Sequence, residues 1–259
     1  MDLVEARSPM TARHPWELAR ASFFKRIILS VCRSGYPVRV LDAGCGDAWF
    51  SRQLCPSLPS GSEVVGWDTA LDDERLAVFS SNLPPGMVLS RDEPAGDFDV
   101  ILCMDVLEHV ANDRVFVWDL SSRLSSGGHF VCSVPAWPGL FSRHDQALRH
   151  FRRYTPRQAK MLLESAPLTL VRKGGVFHGL AAIRWLQLLS WGRVEPLADP
   201  FSYIEPDGQP VGLATWNASR AVTSVIAGAL RAEGQFSRVA AAVGLEVPGL
   251  SWWALCRKR

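Results

Sequence analysis

A glycine turn between an apolar run and a helix is the stretch of this sequence best suited to chemistry. The apolar run of residues 38–41 ends at Asp42, and Gly44 and Gly46 follow before a helix begins. Glycine permits the backbone angles of a tight turn and lets a ligand approach peptide N–H groups beside a helix N-terminus, which favours negative charge. Asp68 ends the next apolar run, about 20 residues further on, where an acid can accept hydrogen bonds from a ribose diol. The pattern predicts a nucleotide-like ligand.

A second group of reactive side chains follows the fifth predicted strand, at the sheet edge where ligands bind in α/β folds. Arg152 or Arg153 could pair with a carboxylate or phosphate of an acceptor. His144 or His150 could take a proton from an attacking hydroxyl, since histidine titrates near neutral pH. We expect His144 to be the base ahead of His150. The alternative is a solvated basic face with His150 and Tyr154 packed beneath it.

The elements that position these residues alternate between short apolar strands and helices, as in an open α/β sheet. A helix from Pro15 precedes the first strand, and its Trp16 and Arg20 either cover the sheet or close over the ligand. A capping box at residues 155–158, with proline at the first helical position, predicts another helix start. The predicted strands are residues 38–41, 63–67, 87–90, 98–104, 129–134, 168–172 and 251–256.

Composition limits the classes of function. The 259 residues are 47% apolar, enough for a large core, and the net charge of +2 favours neither nucleic acid nor an anionic membrane as a partner. The six cysteines are scattered without a C-x-x-C pair, which indicates reduced thiols and neither a zinc site nor a disulfide framework. Asp2 and Glu5 precede any apolar run, unlike a secretory signal. We therefore expect a cytoplasmic protein without a metal cofactor.

Several motifs, in the expected order, resemble class I S-adenosylmethionine-dependent methyltransferases. The resemblance covers roughly residues 36–172, and Ala48 stands where the family has its third glycine. It implies a Rossmann-like, doubly wound α/β sheet of seven strands with helices on both faces, in which strands six and seven are antiparallel to each other. The motifs that carry it are Leu41–Gly46, Asp68, Phe98–Val100, Val106–His109 and Gly127–Gly128.

The resemblance also implies which residues hold the cofactor. Asp42 would bind the ammonium group, Asp68 the ribose hydroxyls, and Asp92 is a candidate for the adenine amino group. Glu108 and His109 are expected to be structural. The expected contacts of S-adenosylmethionine, and of its product S-adenosylhomocysteine, are Asp42, Gly44, Cys45, Gly46, Asp68, Thr69, Ala70, Asp92, Met104 and Asp105.

About 75 residues separate strands six and seven, too many for a structureless loop in a compact domain. Their helical pattern predicts that residues 174–247 form a helical cap over the substrate, inside a single domain of residues 1–259 whose lead-in is residues 1–35. Residues 176–191 are shorter than the roughly 20 of a membrane span, so a capping helix is favoured over an interfacial one that touches lipid. The expected substrate contacts are Arg152, Arg153, Tyr154 and Trp185.

The predicted reaction is methyl transfer to a hydroxyl of a small molecule, anionic or amphiphilic. The run V-P-A, H-D, then H-x-R-R-Y resembles a methyltransferase subgroup of sugar, polyprenyl and secondary-metabolite pathways, which has glycine where Arg149 stands. Methylation of nitrogen or carbon, an RNA methyltransferase, and a cofactor-binding subunit without catalysis remain alternatives. A nicotinamide-dependent dehydrogenase would share the glycine turn and Asp68, but Asp42 before the turn and Val106–His109 favour methyl transfer.

Overall fold

The computed structural model describes residues 13–191, 194, 196, 200 and 216–259. Its strands are β1 (Arg39–Ala43), β2 (Glu63–Trp67), β3 (Met87–Ser90), β4 (Phe98–Met104), β5 (Leu124–Pro135), β6 (Leu168–Val176) and β7 (Ser251–Lys258). Its α-helices are α1 (Pro15–Leu29), α2 (Trp49–Leu54), α3 (Asp73–Ser80), α4 (Asp113–Ser122), α5 (Arg143–Ala147), α6 (Pro156–Glu164), α7 (His178–Trp191) and α8 (Arg220–Ala242). Short 3-10 turns lie at Cys55–Ser57, Leu107–His109 and Pro138–Leu140.

The seven strands form one sheet in the order β3-β2-β1-β4-β5-β7-β6. The pairs from β3 to β5 are parallel, and β7 is antiparallel to both β5 and β6. Successive strands are added on one side of β1 up to β3, and the chain then crosses to the other side, where β4 pairs with β1. In doubly wound folds, ligands bind at this switch in strand order. The predicted Rossmann-like α/β sheet of seven strands, in which strands six and seven are antiparallel to each other, is confirmed.

Helices cover both faces of the sheet, so the central strands are buried on both sides and consist of continuous apolar runs. One core contains Phe24 of α1, Leu230 of α8 and Trp253, and the other contains Leu120 of α4 and Trp252. Trp252 and Trp253 lie in opposite cores because successive side chains of a strand point to opposite faces. Both are 1% exposed.

β5 and β6 extend furthest beyond the strand ranges that the sequence predicts, and glycines explain both extensions. β6 continues to Val176 because a side chain at Gly175 would lie 2.3 Å from the carbonyl oxygen of Val247, so only glycine lets that segment pass. β5 begins at Leu124, where the register with β4 shifts and Gly127 adopts a φ of +71°. Neither feature shows in an apolar pattern.

The insertion between β6 and β7 has two described helices with different surroundings. α8 packs on α1, where a side chain at Gly234 would lie 3.1 Å from Phe23, and Arg26 Nη1 donates to Gln235 Oε1 at 2.6 Å. α7 lies beside the turn at Pro138–Leu140. The cap predicted over residues 174–247, and the lead-in predicted over residues 1–35, include positions outside the described residues. Among the helices of the described ranges, none has the length and apolar character of a membrane span.

Candidate active site

The glycine turn is built against two neighbouring strands. Gly44 adopts a φ of +73°, and a β-carbon there would lie 2.4 Å from a methyl of Val106, so no other residue fits. The peptide N–H groups of Gly44 and Cys45 donate to the carbonyl of Trp67 at 2.7 and 3.1 Å. The turn that follows β1 is therefore fastened to the end of β2.

Asp68 joins that turn directly. Its Oδ2 accepts from the N–H of Gly46 at 2.9 Å, and its Oδ1 accepts from the N–H of Ala70 at 3.0 Å. A carboxylate offers about four lone-pair sites, so two remain for hydroxyls of a ligand. Thr69, Ala70 and Asp92 are exposed at the same edge. A fixed, half-buried carboxylate beside a side-chain-free turn fits the ribose of an adenosyl cofactor.

Asp42 is a buried acid at the end of β1, 3% exposed. Ser51 Oγ donates to its Oδ2 at 2.5 Å. Burial raises the pKa of the Asp42 carboxyl, and the Ser51 hydrogen bond and nearby cations oppose that rise only in part. Because burial disfavours the ionised form of this carboxyl, a cationic group placed beside it would stabilise that form. Asp42 thus has the character that the ammonium group of the cofactor requires.

The end of β4 is held by α1 and β5. Asp105 adopts a φ of +57°, its N–H donates to Ser133 O at 2.9 Å, and Ser133 Oγ donates to its Oδ1 at 3.0 Å. Arg20 Nη2 lies 2.7 Å from Asp105 Oδ2 and donates to Met104 O at 3.0 Å. Asp105 is followed by the 3-10 turn at Leu107–His109, and α4 begins at Asp113. The segment just before α1 also contacts the segment after the glycine turn, through an ion pair between Arg13 and Asp47.

A cavity of about 510 Å³ begins at Asp105 and extends between α1, the segment around α5, and α7. Polar groups and apolar side chains occupy different parts of its wall. Glu108, His144, His150, Arg153 and Arg184 are among the polar residues. The apolar wall is formed by Trp16, Pro135, Leu148, Leu180, Ile183 and Leu250.

Asp145 is the hub of the polar wall. It is fully buried, and its Oδ2 accepts from the N–H and the Oγ of Ser142 at 2.9 and 2.8 Å. Its Oδ1 accepts from Arg153 Nε at 2.7 Å and lies 3.0 Å from His150 Nδ1. Although burial alone would raise the pKa of Asp145, the His150 and Arg153 partners lower it well below the ordinary carboxyl value. Asp145 is therefore ionised across the neutral pH range, and its contacts hold the side chains of His150 and Arg153 in place.

The two imidazoles predicted as bases, His144 and His150, line this same cavity. Burial lowers the pKa of His144 to about 4, and Asp145 offsets this only in part. His144 is consequently neutral at pH 7 and able to accept a proton. His150 packs edge-to-face on His109, with ring centroids 4.6 Å apart, and is oriented by Asp145.

Comparison with known proteins decides the family. Residues 15–173, more than half of the chain, match the family model described as a methyltransferase domain. The chain belongs to the class I S-adenosylmethionine-dependent methyltransferases. An S-adenosylmethionine-dependent methyltransferase from Mesorhizobium loti has the same fold, with 14% identity, a TM-score of 0.55, and coverage of 93% of this chain and all of the other. The N-methyltransferase NodS from Bradyrhizobium japonicum, solved with S-adenosylhomocysteine, has 18% identity, a TM-score of 0.50, and coverage of 66% and 84%.

Curated relatives of this methyltransferase include ubiquinone biosynthesis O-methyltransferases. The one from Mesorhizobium japonicum is 31% identical over 169 residues, which are 57% of this chain and 66% of the relative. The one from Ruegeria sp. is 33% identical over 162 residues, or 54% and 64%. The match to the relative from Maricaulis maris, at 27% identity, spans 59% of that protein. The chain thus spans about three-fifths of the length of these relatives.

Of the predicted substrate contacts, Arg153 lines the cavity of the methyltransferase, and the other three lie elsewhere. Arg152 Nη1 donates to Asp113 Oδ2 at 3.0 Å, and the hydroxyl of Tyr154 lies 2.7 Å from the same oxygen. Burial and Asp113 raise the pKa of Tyr154 far above its ordinary value. Trp185 is 43% exposed, on the side of α7 that faces Gly139. Only Arg153 of this set enters the acceptor site proposed below.

Sequence reasoning predicted a capping helix at the position of α7 but missed the residues of that helix that line the cavity. Leu180, Ile183, Arg184 and Gln187 line the cavity, and their spacing of three and four residues places them on one face of the helix. That spacing was the available signal. Nothing in it distinguishes a face that covers a ligand from one that covers the sheet.

Glu108, expected to be structural, also lines the cavity. It is 1% exposed, and its Oε2 has no hydrogen-bond partner among the residues that the structure describes. Burial, followed by Asp105, raises the pKa of this carboxyl well above its ordinary value, which favours the protonated form. Glu108, His109 and His150 each offer a ligand atom within 4.8 Å of the others. The positive charges of Arg20 and Arg153 act on the same carboxyl and oppose a cation there.

Proposed function

We propose that this chain methylates a hydroxyl of a small-molecule acceptor that binds in the 510 Å³ cavity. The observation that carries the proposal is the position of this cavity, which begins at Asp105 at the end of β4, the strand beside β1 and its glycine turn. Relatives named as O-methyltransferases, at 31% and 33% identity, support oxygen as the acceptor atom. The apolar wall suits an acceptor with an apolar body, from which it excludes water.

S-adenosylmethionine, when bound, supplies an activated methyl group for in-line displacement. In this proposal the Asp68 carboxylate accepts hydrogen bonds from the ribose hydroxyls, and Asp42 neutralises the ammonium group. The backbone of Gly44, Cys45 and Gly46 approaches the methionyl part of the cofactor. These residues bind and align, and binding and alignment supply most of the rate that such a displacement requires.

The proton of the acceptor hydroxyl goes to a histidine. His144 is the first candidate because it lines the cavity and its imidazole is unprotonated across the neutral range, although the lowered pKa of about 4 also makes it a weaker base than an ordinary histidine. His150 is the second candidate, since the 3.0 Å contact between its Nδ1 and Asp145 fixes the ring. With His144 as the base, turnover should fall as the pH drops through about 4, because protonation removes the accepting lone pair.

Cofactor binding is tested by calorimetry with S-adenosylmethionine and S-adenosylhomocysteine. We expect micromolar affinity for both, and a loss of tenfold or more in Asp68→Ala, because a hydrogen bond to a charged group is worth about 1.5–3 kcal/mol. Asp73→Ala is the matched control, since the Asp73 side chain is 87% exposed and should leave affinity unchanged. Tight binding of NAD in place of S-adenosylmethionine would contradict the proposal.

Catalysis is tested by following S-adenosylhomocysteine formation with a panel of hydroxylated small molecules. Replacing the catalytic histidine by alanine should lower kcat by about 10²–10⁴-fold and remove the acid limb of the pH profile. His129→Ala, a change on β5 outside the cavity, should keep wild-type kinetics. A folded protein that binds the cofactor but never forms S-adenosylhomocysteine would favour the binding subunit without catalysis.

A further inference from the structure

Three guanidinium groups line the acceptor cavity, and they differ in their partners. Arg20 Nη2 lies 2.7 Å from Asp105 Oδ2, and Arg153 Nε lies 2.7 Å from Asp145 Oδ1. Arg184 has only neutral partners within the described part of the chain: Nη1 donates to Gln187 Oε1 at 3.2 Å, and Nη2 donates to Ser142 Oγ. The charge of Arg184 is therefore the one that these contacts leave unbalanced.

The position of Arg184 disfavours its positive charge. Burial, followed by repulsion from Arg153, lowers the pKa of its guanidinium group, and Asp145 opposes this only weakly. His144 and Glu108 add little negative charge, because burial lowers the pKa of His144 to about 4 and the raised pKa of Glu108 favours its neutral form. Taking a cation out of water without a paired anion is unfavourable, so an anion brought to this group regains that free energy.

The geometry of Arg184 suits an oxyanion. A guanidinium has five N–H donors in a planar fork, and the two neutral partners use two of them. Ser142 is itself held by Asp145, and Gln187 lies one turn along α7, so the group is fixed before a ligand arrives. Leu180 and Ile183 on the same helix face give the apolar wall next to it.

We propose that Arg184 binds an oxyanion of the acceptor, a carboxylate or a phosphate, while the apolar body of the acceptor packs against Leu148, Leu180, Ile183 and Leu250. This inference rests on the proposed function, because it takes the cavity as the acceptor site. It makes Arg184 the specificity-determining residue, in place of Arg152, which pairs with Asp113 outside the cavity. Arg153 contributes positive potential but already has a carboxylate partner.

The test compares three probes of one shape in the presence of S-adenosylhomocysteine: 4-hydroxybenzoate, its neutral methyl ester, and 4-hydroxyphenyl phosphate. Affinity is measured by calorimetry or by tryptophan fluorescence. Wild type should bind one or both anions at least tenfold more tightly than the ester. The anion that binds more tightly shows whether the site prefers a carboxylate or a phosphate. Arg184→Gln should abolish this preference, Arg184→Lys should retain part of it, and Arg152→Gln should leave it intact. With an anionic acceptor, Arg184→Gln should raise KM far more than it lowers kcat.

The outcomes separate this inference from the proposed function. Equal binding of acid and ester by wild type overturns the inference, and this comparison needs no variant, so it stands even if Arg184→Gln fails to fold. An unchanged preference in a folded Arg184→Gln also overturns it and makes Arg184 a link between α7 and α5. Methyl transfer to neutral acceptors alone would leave the proposed function intact. Binding of none of the probes at millimolar concentration would remove the cavity as acceptor site, and both proposals would fall.

Discussion

Asp145→Asn should destabilise this protein severely, although the change removes no volume. The carboxylate is fully buried and has four contacts, from the N–H and Oγ of Ser142, from Arg153 Nε and from His150 Nδ1, at 2.7–3.0 Å. Asparagine offers one accepting oxygen, so its amide N–H₂ must face either the backbone N–H of Ser142 or the Nε–H of Arg153, and both of these groups can only donate. It also leaves Arg153 buried without its anion. Breaking a buried ion pair in this way costs about 3–5 kcal/mol.

Urea unfolding at pH 7, followed by tryptophan fluorescence, measures this loss. With a slope of about 2–3 kcal/mol per molar urea, the midpoint should fall by roughly 1–2 M. Glu108→Gln is the matched control: the raised pKa of that buried carboxyl favours the neutral form that glutamine resembles, so this variant should lose less than about 1 kcal/mol. Equal losses in the two variants, or a loss below about 1 kcal/mol in Asp145→Asn, would refute the reasoning.

The pH dependence provides a second check on the same residue. The pKa of Asp145 is depressed in the folded protein, so its stabilisation is complete above the ordinary carboxyl pKa of about 4 and is lost as the pH falls below that value. The wild-type protein should therefore lose stability on acidification more steeply than Asp145→Asn does. Parallel pH curves would show that the carboxylate is not the anion that the contacts require.

Three further outcomes are expected. Gly44→Ala should lose about 1–3 kcal/mol of unfolding free energy and weaken S-adenosylhomocysteine binding, because its methyl would meet Val106 at 2.4 Å in a left-handed conformation; wild-type affinity would contradict this. Gly228→Ala, in open space on α8, should instead stabilise by about 0.5–1 kcal/mol in the same urea assay. Treatment with EDTA should leave turnover unchanged, since in the proposed reaction the cofactor supplies the reactivity and a histidine accepts the proton; stimulation by added Mg²⁺ would overturn that view.

The strands and the glycine turn could be predicted from the sequence because each depends on local signals. Apolar runs mark β2, β3 and β4 at their observed bounds, and glycine is the expected residue where φ is positive. Arg149 is an exception, because it adopts a φ of +59° without being glycine. The methyltransferase subgroup that this stretch resembles has glycine at the same position.

The acceptor side could be predicted only in part, because its contacts depend on tertiary structure. His144 and Asp145 are adjacent in sequence, yet Asp145 contacts His150, five residues later and beyond the end of α5. Arg152 and Arg153 are equivalent by composition, but the first lies at Asp113 and the second inside the cavity. Arg184 comes to Ser142 from α7, about 40 residues along the chain. No spacing rule reports a contact of that range.

The position of β7 has a consequence for synthesis of the protein. β7 lies between β5 and β6, although the ribosome makes it after both and after the whole insertion. Until β7 emerges, the nascent chain has an unpaired edge along the apolar residues Phe130–Val134 of β5, which other chains can join. Ordered pairing of such distant strands is slow. We therefore expect ribosome-bound intermediates to need chaperones, and premature termination within the insertion to yield aggregates instead of a smaller folded sheet.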